Sequence, residues 1–186
     1  MAKVVTDKVR FSFCHLFEPS ASMPGQEPKY SITVLLPKSD TATYARIQAA
    51  IEAAIEDGKA RKWDGKAPAR PMQPVYDGDG LRPNGEEFGS ECKGCWVFTA
   101  SAKEAPEVID ASLNPVIDKN LIYSGCYGRV SVNFFPYSAA GRKGIGCGLN
   151  NVQYLCAGER LGGGKSSAVE DFGKDMEKFA EFAKFE

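Results

Sequence analysis

The stretch Cys126-Tyr127-Gly128-Arg129-Val130-Ser131-Val132-Asn133-Phe134-Phe135 decides the fold. Cys126, Gly128, Val130, Val132 and Phe134 are small or apolar, and the residues between them are Tyr127, Arg129, Ser131, Asn133 and Phe135. A period of two is that of a β-strand with one face in a core and the other toward solvent. The outward face mixes rings with a cation and hydrogen-bonding groups. Such a mixture suits an unpaired nucleotide strand, because bases stack on rings, phosphates meet arginine and small polar groups impose no sequence. An ordinary solvated face accounts for the polar members equally well.

On the C-terminal side, residues 136–144 read as a hairpin loop with Arg142 and Lys143 at its tip, followed by a strand from Ile145 to Leu155. Gly146 and Gly148 in that strand suggest the sharp bend a barrel needs at a corner. Upstream, Cys95 to Ser101 reads as a strand. So do Val9-Phe11-Phe13, alternating with Arg10-Ser12-Cys14, and Tyr30-Ile32-Val34-Leu36, alternating with Ser31-Thr33-Leu35. The last two look like neighbours in one sheet. One main helix follows, capped by Ser39 or Asp40, with Tyr44, Ile47, Ile51 and Ile55 on its apolar face and Gly58 where it weakens or ends. Residues 59–91 are irregular, and an internal loop of that length is usually functional or mobile.

Composition limits the chemistry. The chain has 186 residues, 43% hydrophobic and 25% charged, with a formal net charge of −1. That is enough for one core and excludes a histone-like basic binder. No apolar run approaches the roughly 20 residues of a membrane span, and the first residues lack a signal-peptide core, so a soluble protein of the cytoplasm is expected. His15 is the only histidine, and no Walker A sequence, nucleophile elbow or His-Glu-x-x-His occurs. An enzyme is therefore not expected, nor a cofactor. Asp77-Gly78-Asp79 offers two acids to a metal, but in a Pro- and Gly-rich stretch it reads more simply as a turn. Six cysteines, at 14, 92, 95, 126, 147 and 156, are read as free thiols. Cys92-Lys93-Gly94-Cys95 has the spacing of half a zinc site or of a redox pair, yet no second pair exists, and Cys95 leads into the strand-like Trp96-Val97-Phe98 where a buried thiol packs well. No metal is expected.

Two further constellations carry candidate function. Lys59, Arg61, Lys62, Trp63, Lys66 and Arg70 place five cations and an indole within twelve positions. They form either a phosphate-tracking arm or a solvated helix end with Trp63 tucked onto the barrel. Tyr76, Arg82, Lys93, Trp96 and Lys103 extend such a surface. The other constellation is the C-terminal tail. After the Gly-Ser linker that follows Leu161, acids outnumber bases six to three over residues 168–186, a net −3 that leaves +2 on the rest. Phe172, Phe179, Phe182 and Phe185 stud this tail, which either competes with DNA phosphates for a basic groove or offers aromatic anchors to a partner. Helical spacing of Phe172, Met176, Phe179 and Ala183 also allows a simple packed amphipathic helix.

Five segments carry a resemblance in this order: Glu27-Pro28-Lys29-Tyr30-Ser31, Trp63-Asp64-Gly65-Lys66, Tyr123-Ser124-Gly125-Cys126-Tyr127, residues 143–153 (Lys143-Gly144-Ile145-Gly146-Cys147-Gly148-Leu149-Asn150-Asn151-Val152-Gln153), and Gly158-Glu159-Arg160-Leu161-Gly162-Gly163. Over roughly residues 5 to 172 the chain resembles a family of bacteriophage single-stranded DNA-binding proteins with an OB-fold, formerly a domain of unknown function. The resemblance implies a mainly β chain, a five-stranded, partly open barrel with one main helix and a flexible acidic C-terminal tail. It implies a domain over 1–164 and a tail over 165–186. It also implies coating of exposed strands during replication, recombination or repair, often as a homodimer, with no catalysis and with phage replication proteins as partners of the tail. The DNA-binding candidates are Lys62, Trp63, Lys66, Arg70, Tyr76, Arg82, Lys93, Trp96, Tyr127, Arg129, Asn133, Phe135, Arg142 and Lys143. A phage structural or assembly protein acting only through protein contacts is the alternative.

Overall fold

A computed structural model describes residues 2–21, 23–69, 71 and 73–161, and beyond them 171, 172 and 178. Eight strands and one long helix follow in the order β1 (Ala2–Val5), β2 (Val9–Ser20), β3 (Lys29–Pro37), α1 (Thr41–Arg61), β4 (Val75–Asp77), β5 (Cys95–Ala102), β6 (Glu107–Ile109), β7 (Tyr127–Ala139) and β8 (Arg142–Cys156). Five of the strands, β7, β2, β3, β5 and β8, pair in that order, and β8 pairs back to β7, so they form a ring. β3 and β5 pair without interruption from Tyr30↔Ala102 to Pro37↔Cys95. β7 and β8 pair from Tyr127↔Cys156 to Ala139↔Arg142. The other seams are thin. β2 meets β7 at Val9↔Gly128 and Arg10↔Tyr127, and β5 meets β8, in parallel, at Ser101↔Gly148. The ring is thus partly closed, as expected for a mainly β chain with one main helix. Among the described residues no helix is long and apolar enough to cross a membrane.

Alternation places the core. Val130, Val132 and Phe134 of β7 are fully buried together with Val9, Phe11, Ile32, Val34, Leu36, Phe98 and Ala100 from the other strands. Each large side chain among them contributes roughly 1.5–3 kcal/mol by leaving water. Gly128 has to be a glycine, because the ring of Phe11 lies over it, with Cε2 only 2.7 Å from where a β-carbon would sit. α1 packs on β1 and β7 through Thr43, Ile47, Ala50, Ile51 and Ala54. Asp40, rather than Ser39, caps the helix, its carboxylate accepting the Thr43 N–H at 3.0 Å.

The structure departs from the sequence reading at four places. β2 does not keep one alternation, because Phe13 sits at φ 46° and the β2–β3 register shifts between Ser12 and His15. This bulge turns Phe13 out to 62% exposure. α1 runs through Gly58 to Arg61, since the glycine makes room for the Trp63 ring, whose Cζ3 lies 2.6 Å from a would-be β-carbon. The nine-residue hairpin loop shrinks to two residues, Ala140 and Gly141, at φ 50° and 77°, the signs of a type I′ turn. Finally, β1, β4 and β6 are short strands that gave no periodic signal of their own.

Candidate nucleic-acid interface

The outer face of β3 and β5 is the floor of a groove of about 920 Å³. Because Thr33 pairs with Thr99 and Ser31 with Ser101, their side chains emerge side by side, and the two threonine hydroxyls lie 3.0 Å apart. Rings stand around this floor. Tyr76 comes from β4, Phe88 from the loop after it, and Phe13 from the β2 bulge, with Phe135 and Tyr137 at the far end of β7. Tyr76 and Phe88 have centroids 6.3 Å apart and planes tilted by 40°, a common aromatic arrangement. The cations of the lining are Lys29 and Arg82, whose guanidinium carbon lies 4.9 Å from the Phe88 centroid. Beneath the groove, Leu35, Cys92 and Val97 form a small buried cluster joined by Phe88 and by Leu161.

Phe135 is bedded on glycine. A β-carbon on Gly146 would come within 2.6 Å of its Cζ, and one on Gly148 within 3.5 Å of its Cε1. The β7–β8 register runs evenly through both glycines and shifts instead at Ser131/Val132, so Gly146 and Gly148 serve to leave room for a ring that lines the groove.

Among the sequence candidates, Tyr76, Arg82 and Phe135 line this groove together. Lys62 and Lys66 are exposed just past α1. The indole between them is a correction: Trp63 is 1% exposed, with its Nε1–H donating to the Tyr137 carbonyl at 3.1 Å. A buried indole has no face for a base, and its role is to fix the end of α1 beside the hairpin. Trp96 is a second correction. Its ring stacks on Tyr44 at 4.4 Å and 9°, and the Lys38 ammonium lies 4.9 Å from its centroid. Tyr127 lies away from the lining, under Lys8 at 4.8 Å and Arg10 at 5.6 Å. Arg129 spends its Nε–H on the Thr6 carbonyl at 2.9 Å, and Asn133 donates to the Asn150 side chain at 3.0 Å. These two tie strands together. Arg142 and Lys143 are exposed at the hairpin tip, and Lys93 is exposed at the turn before β5. Arg70, Phe179, Phe182 and Phe185 lie outside the described residues, whereas Phe172 is described and 69% exposed.

Sequence reasoning missed Phe13, Lys29, Phe88 and Tyr137. Lys29 was in view within Glu27-Pro28-Lys29-Tyr30-Ser31, but nothing local aimed it at a groove. Phe88 is a lone ring in an irregular stretch, and Phe13 faces out only because of the bulge.

The motifs that hinted at metal chemistry are engaged in packing and hydrogen bonds. Cys92 is buried and Cys95 half-buried, and burial pushes both thiols above their usual range. Cys147, on the groove wall, is pushed up to about 12 by burial alone. Among the described residues no three His, Cys, Asp or Glu side chains gather as a metal ion requires. Asp77 and Asp79 are engaged by Lys38 at 2.6 and 2.7 Å.

A half-open ring of strands, with rings, hydroxyls and two cations along one outer face, defines a binding module whose ligand lies along a surface. Residues 2–183 match the family described as "Enterobacter phage Enc34, ssDNA-binding protein", and the chain belongs to that family. It is by that membership a binding protein and not an enzyme. "Putative protein p50" of Acyrthosiphon pisum secondary endosymbiont phage 1 is 31% identical over 179 residues, which span 91% of this chain and 92% of the relative. Among solved structures, the single-stranded DNA-binding protein from bacteriophage Enc34 in complex with ssDNA is similar at a TM-score of 0.75 and 29% identity, over 87% of this chain and 90% of that one. The single-stranded DNA-binding protein gp2.5 of bacteriophage T7 is similar at a TM-score of 0.61 over 91% of this chain and 93% of its own. At 14% identity, that second likeness is one of fold alone.

Proposed function

We propose that this chain binds single-stranded DNA along the β3–β5 groove without regard to sequence, coating and protecting exposed strands during phage DNA replication, recombination or repair. The observation that carries the reading is the lining itself: Tyr76, Phe88 and Phe135 offer stacking faces beside Arg82 and Lys29, over a floor of serine and threonine hydroxyls. Base stacking and phosphate neutralisation are the two terms that bind a strand of any sequence. We read the five-strand ring as an OB-fold, whose second and third strands present the oligonucleotide face. In the ring those strands are β3 and β5. Lys62, Lys66, Arg142, Lys143, Lys93 and Arg70 serve in this reading as outlying phosphate contacts.

The reading also divides the chain into a binding domain over 1–164 and a tail over 165–186. The segment leading to the tail is strapped to the body. The Tyr123 hydroxyl donates to the Gly158 carbonyl at 2.8 Å, Arg10 Nη2 donates to the Glu159 carbonyl at 2.6 Å, and Leu161 N–H donates to the Ser124 carbonyl at 2.9 Å. Leu161 then packs against the cluster beneath the groove, which supports a reading in which the acidic residues that follow compete with DNA for that face. A second copy of the chain and phage replication proteins, the latter through the tail phenylalanines, complete the partners, in the cytoplasm of the host bacterium.

Anisotropy titration of a labelled oligo(dT) tests the reading. Phe135→Ala and Tyr76→Ala should each weaken binding by about 1–3 kcal/mol, roughly 5- to 150-fold, while Tyr127→Ala leaves it near wild type. No binding in dilute salt, even after the tail is removed, would overturn the proposal. Tryptophan fluorescence is a poor reporter because Trp63 and Trp96 are covered.

A further inference from the structure

Residues 78–94 leave β4 and return at β5, and on the way they contribute Arg82, Phe88 and Cys92 to the groove. The outer part of this loop is a small hairpin. Leu81 bridges Glu87, and Arg82 N–H donates to the Glu86 carbonyl at 2.7 Å. Its two ends meet at a neck. Gly78 N–H donates to the Cys95 carbonyl at 2.9 Å, and Gly94 N–H donates to Asp79 Oδ1 at 3.0 Å. No side chain fits at Gly78, where a β-carbon would run into the carbonyl oxygens of Cys92 and Cys95.

Lys38, just past the end of β3, closes this neck. Its backbone N–H donates to the Gly94 carbonyl at 2.9 Å. Its ammonium reaches Asp77 Oδ1 at 2.6 Å and Asp79 Oδ2 at 2.7 Å and lies 4.9 Å from the ring centroid of Trp96, itself stacked on Tyr44 of α1. The Lys38 hydrogen bond is the main cause that holds each carboxyl below the usual aspartate range, so the clasp is charged and closed at neutral pH.

We propose that Lys38 is a positioning residue for the groove: without lining it, Lys38 clasps the neck of the 78–94 loop through Asp77 and Asp79 and so holds Arg82 and Phe88 in place as the groove wall. This rests on the single-stranded DNA reading above. It also gives Asp77-Gly78-Asp79 and Cys92-Lys93-Gly94-Cys95 one shared role, as the two sides of a neck. A half-exposed ion pair adds little to global stability, so the clasp acts where the loop is hinged and not on the fold as a whole.

Three variants test it: Lys38→Met, which keeps an unbranched stem without the charge, Lys38→Arg, and the pair Asp77→Asn with Asp79→Asn. Lys38→Met should weaken oligo(dT) binding roughly tenfold, a part of what one stacked ring supplies. Amide exchange should quicken in residues 80–92 alone, with the thermal midpoint near wild type, and Lys38→Arg should restore both readouts. The aspartate pair gives the sharpest sign. Removing two negative charges near DNA would ordinarily tighten binding, and the clasp requires that it weaken. Wild-type binding with unchanged or tighter binding by Lys38→Met and the aspartate pair, or unchanged exchange in 80–92, would overturn the clasp alone. A wild-type chain that ignores oligo(dT) would overturn the function and this proposal together.

Discussion

Phe135 lies on a strand edge that no single residue could have prepared. Its ring rests over Gly146 on the neighbouring strand, so the absence of a side chain on one strand sets the pose of a side chain on the other. Gly146→Ala should therefore tip the ring off its bed and weaken oligo(dT) binding. A double-mutant cycle with Phe135→Ala checks this, because two changes that act through one ring are not additive. Full additivity would show that Gly146 matters for another reason. Trp63 is the opposite case. Flanked by cations, it has the sequence signature of a stacking residue, yet Gly58, five positions earlier on α1, opens the slot that buries it. Local composition favours both outcomes equally, and only the pairing of a ring with a distant or neighbouring glycine separates them.

At the scale of the element, the β7–β8 hairpin is longer than its sequence suggests, because Pro136 and the glycines around it look like loop. Proline is tolerated there for a geometric reason. Counting back from the closing pair Ala139↔Arg142 of a two-residue turn, narrow hydrogen-bonded pairs alternate with wide ones, and Pro136 falls opposite Ile145 at a pair that exchanges no N–H bonds. β1, on the other side of β7, pairs only as far as Phe134. The turn keeps a cost, since Ala140 holds φ at 50° with a β-carbon in place. Ala140→Asn should stabilise the chain by about 1 kcal/mol, the scale of the left-handed penalty that asparagine relieves. The expected result is a higher denaturant midpoint with an unchanged slope, and an unmoved midpoint would argue against strain at this turn. β2 shows the reverse error. Its alternation looked continuous, but the bulge at Phe13 moved one ring from the expected core to the groove.

For the whole molecule the governing quantity is the split of charge, +2 on the body against −3 on residues 168–186. A groove with few cations of its own is sensitive to a tethered anion, and screening weakens that competition as salt rises. Truncation after Lys165 should leave the thermal unfolding of the body intact and tighten oligo(dT) binding at low salt, with the advantage shrinking by physiological ionic strength. Weaker binding, or loss of folding, would show that the tail supports the body instead of competing with its ligand.

The amino-acid order alone determined the mainly β architecture, the core face of β7, the apolar stripe of α1 and the opposite charge of body and tail, because periodicity and composition are local properties that survive without knowledge of neighbours. It also carried the family resemblance. The tertiary structure alone decided which rings share a surface. Tyr76, Phe88 and Phe135 are brought together by strand register and by glycine-lined slots, and such contacts between residues tens of positions apart leave no periodic trace in the chain.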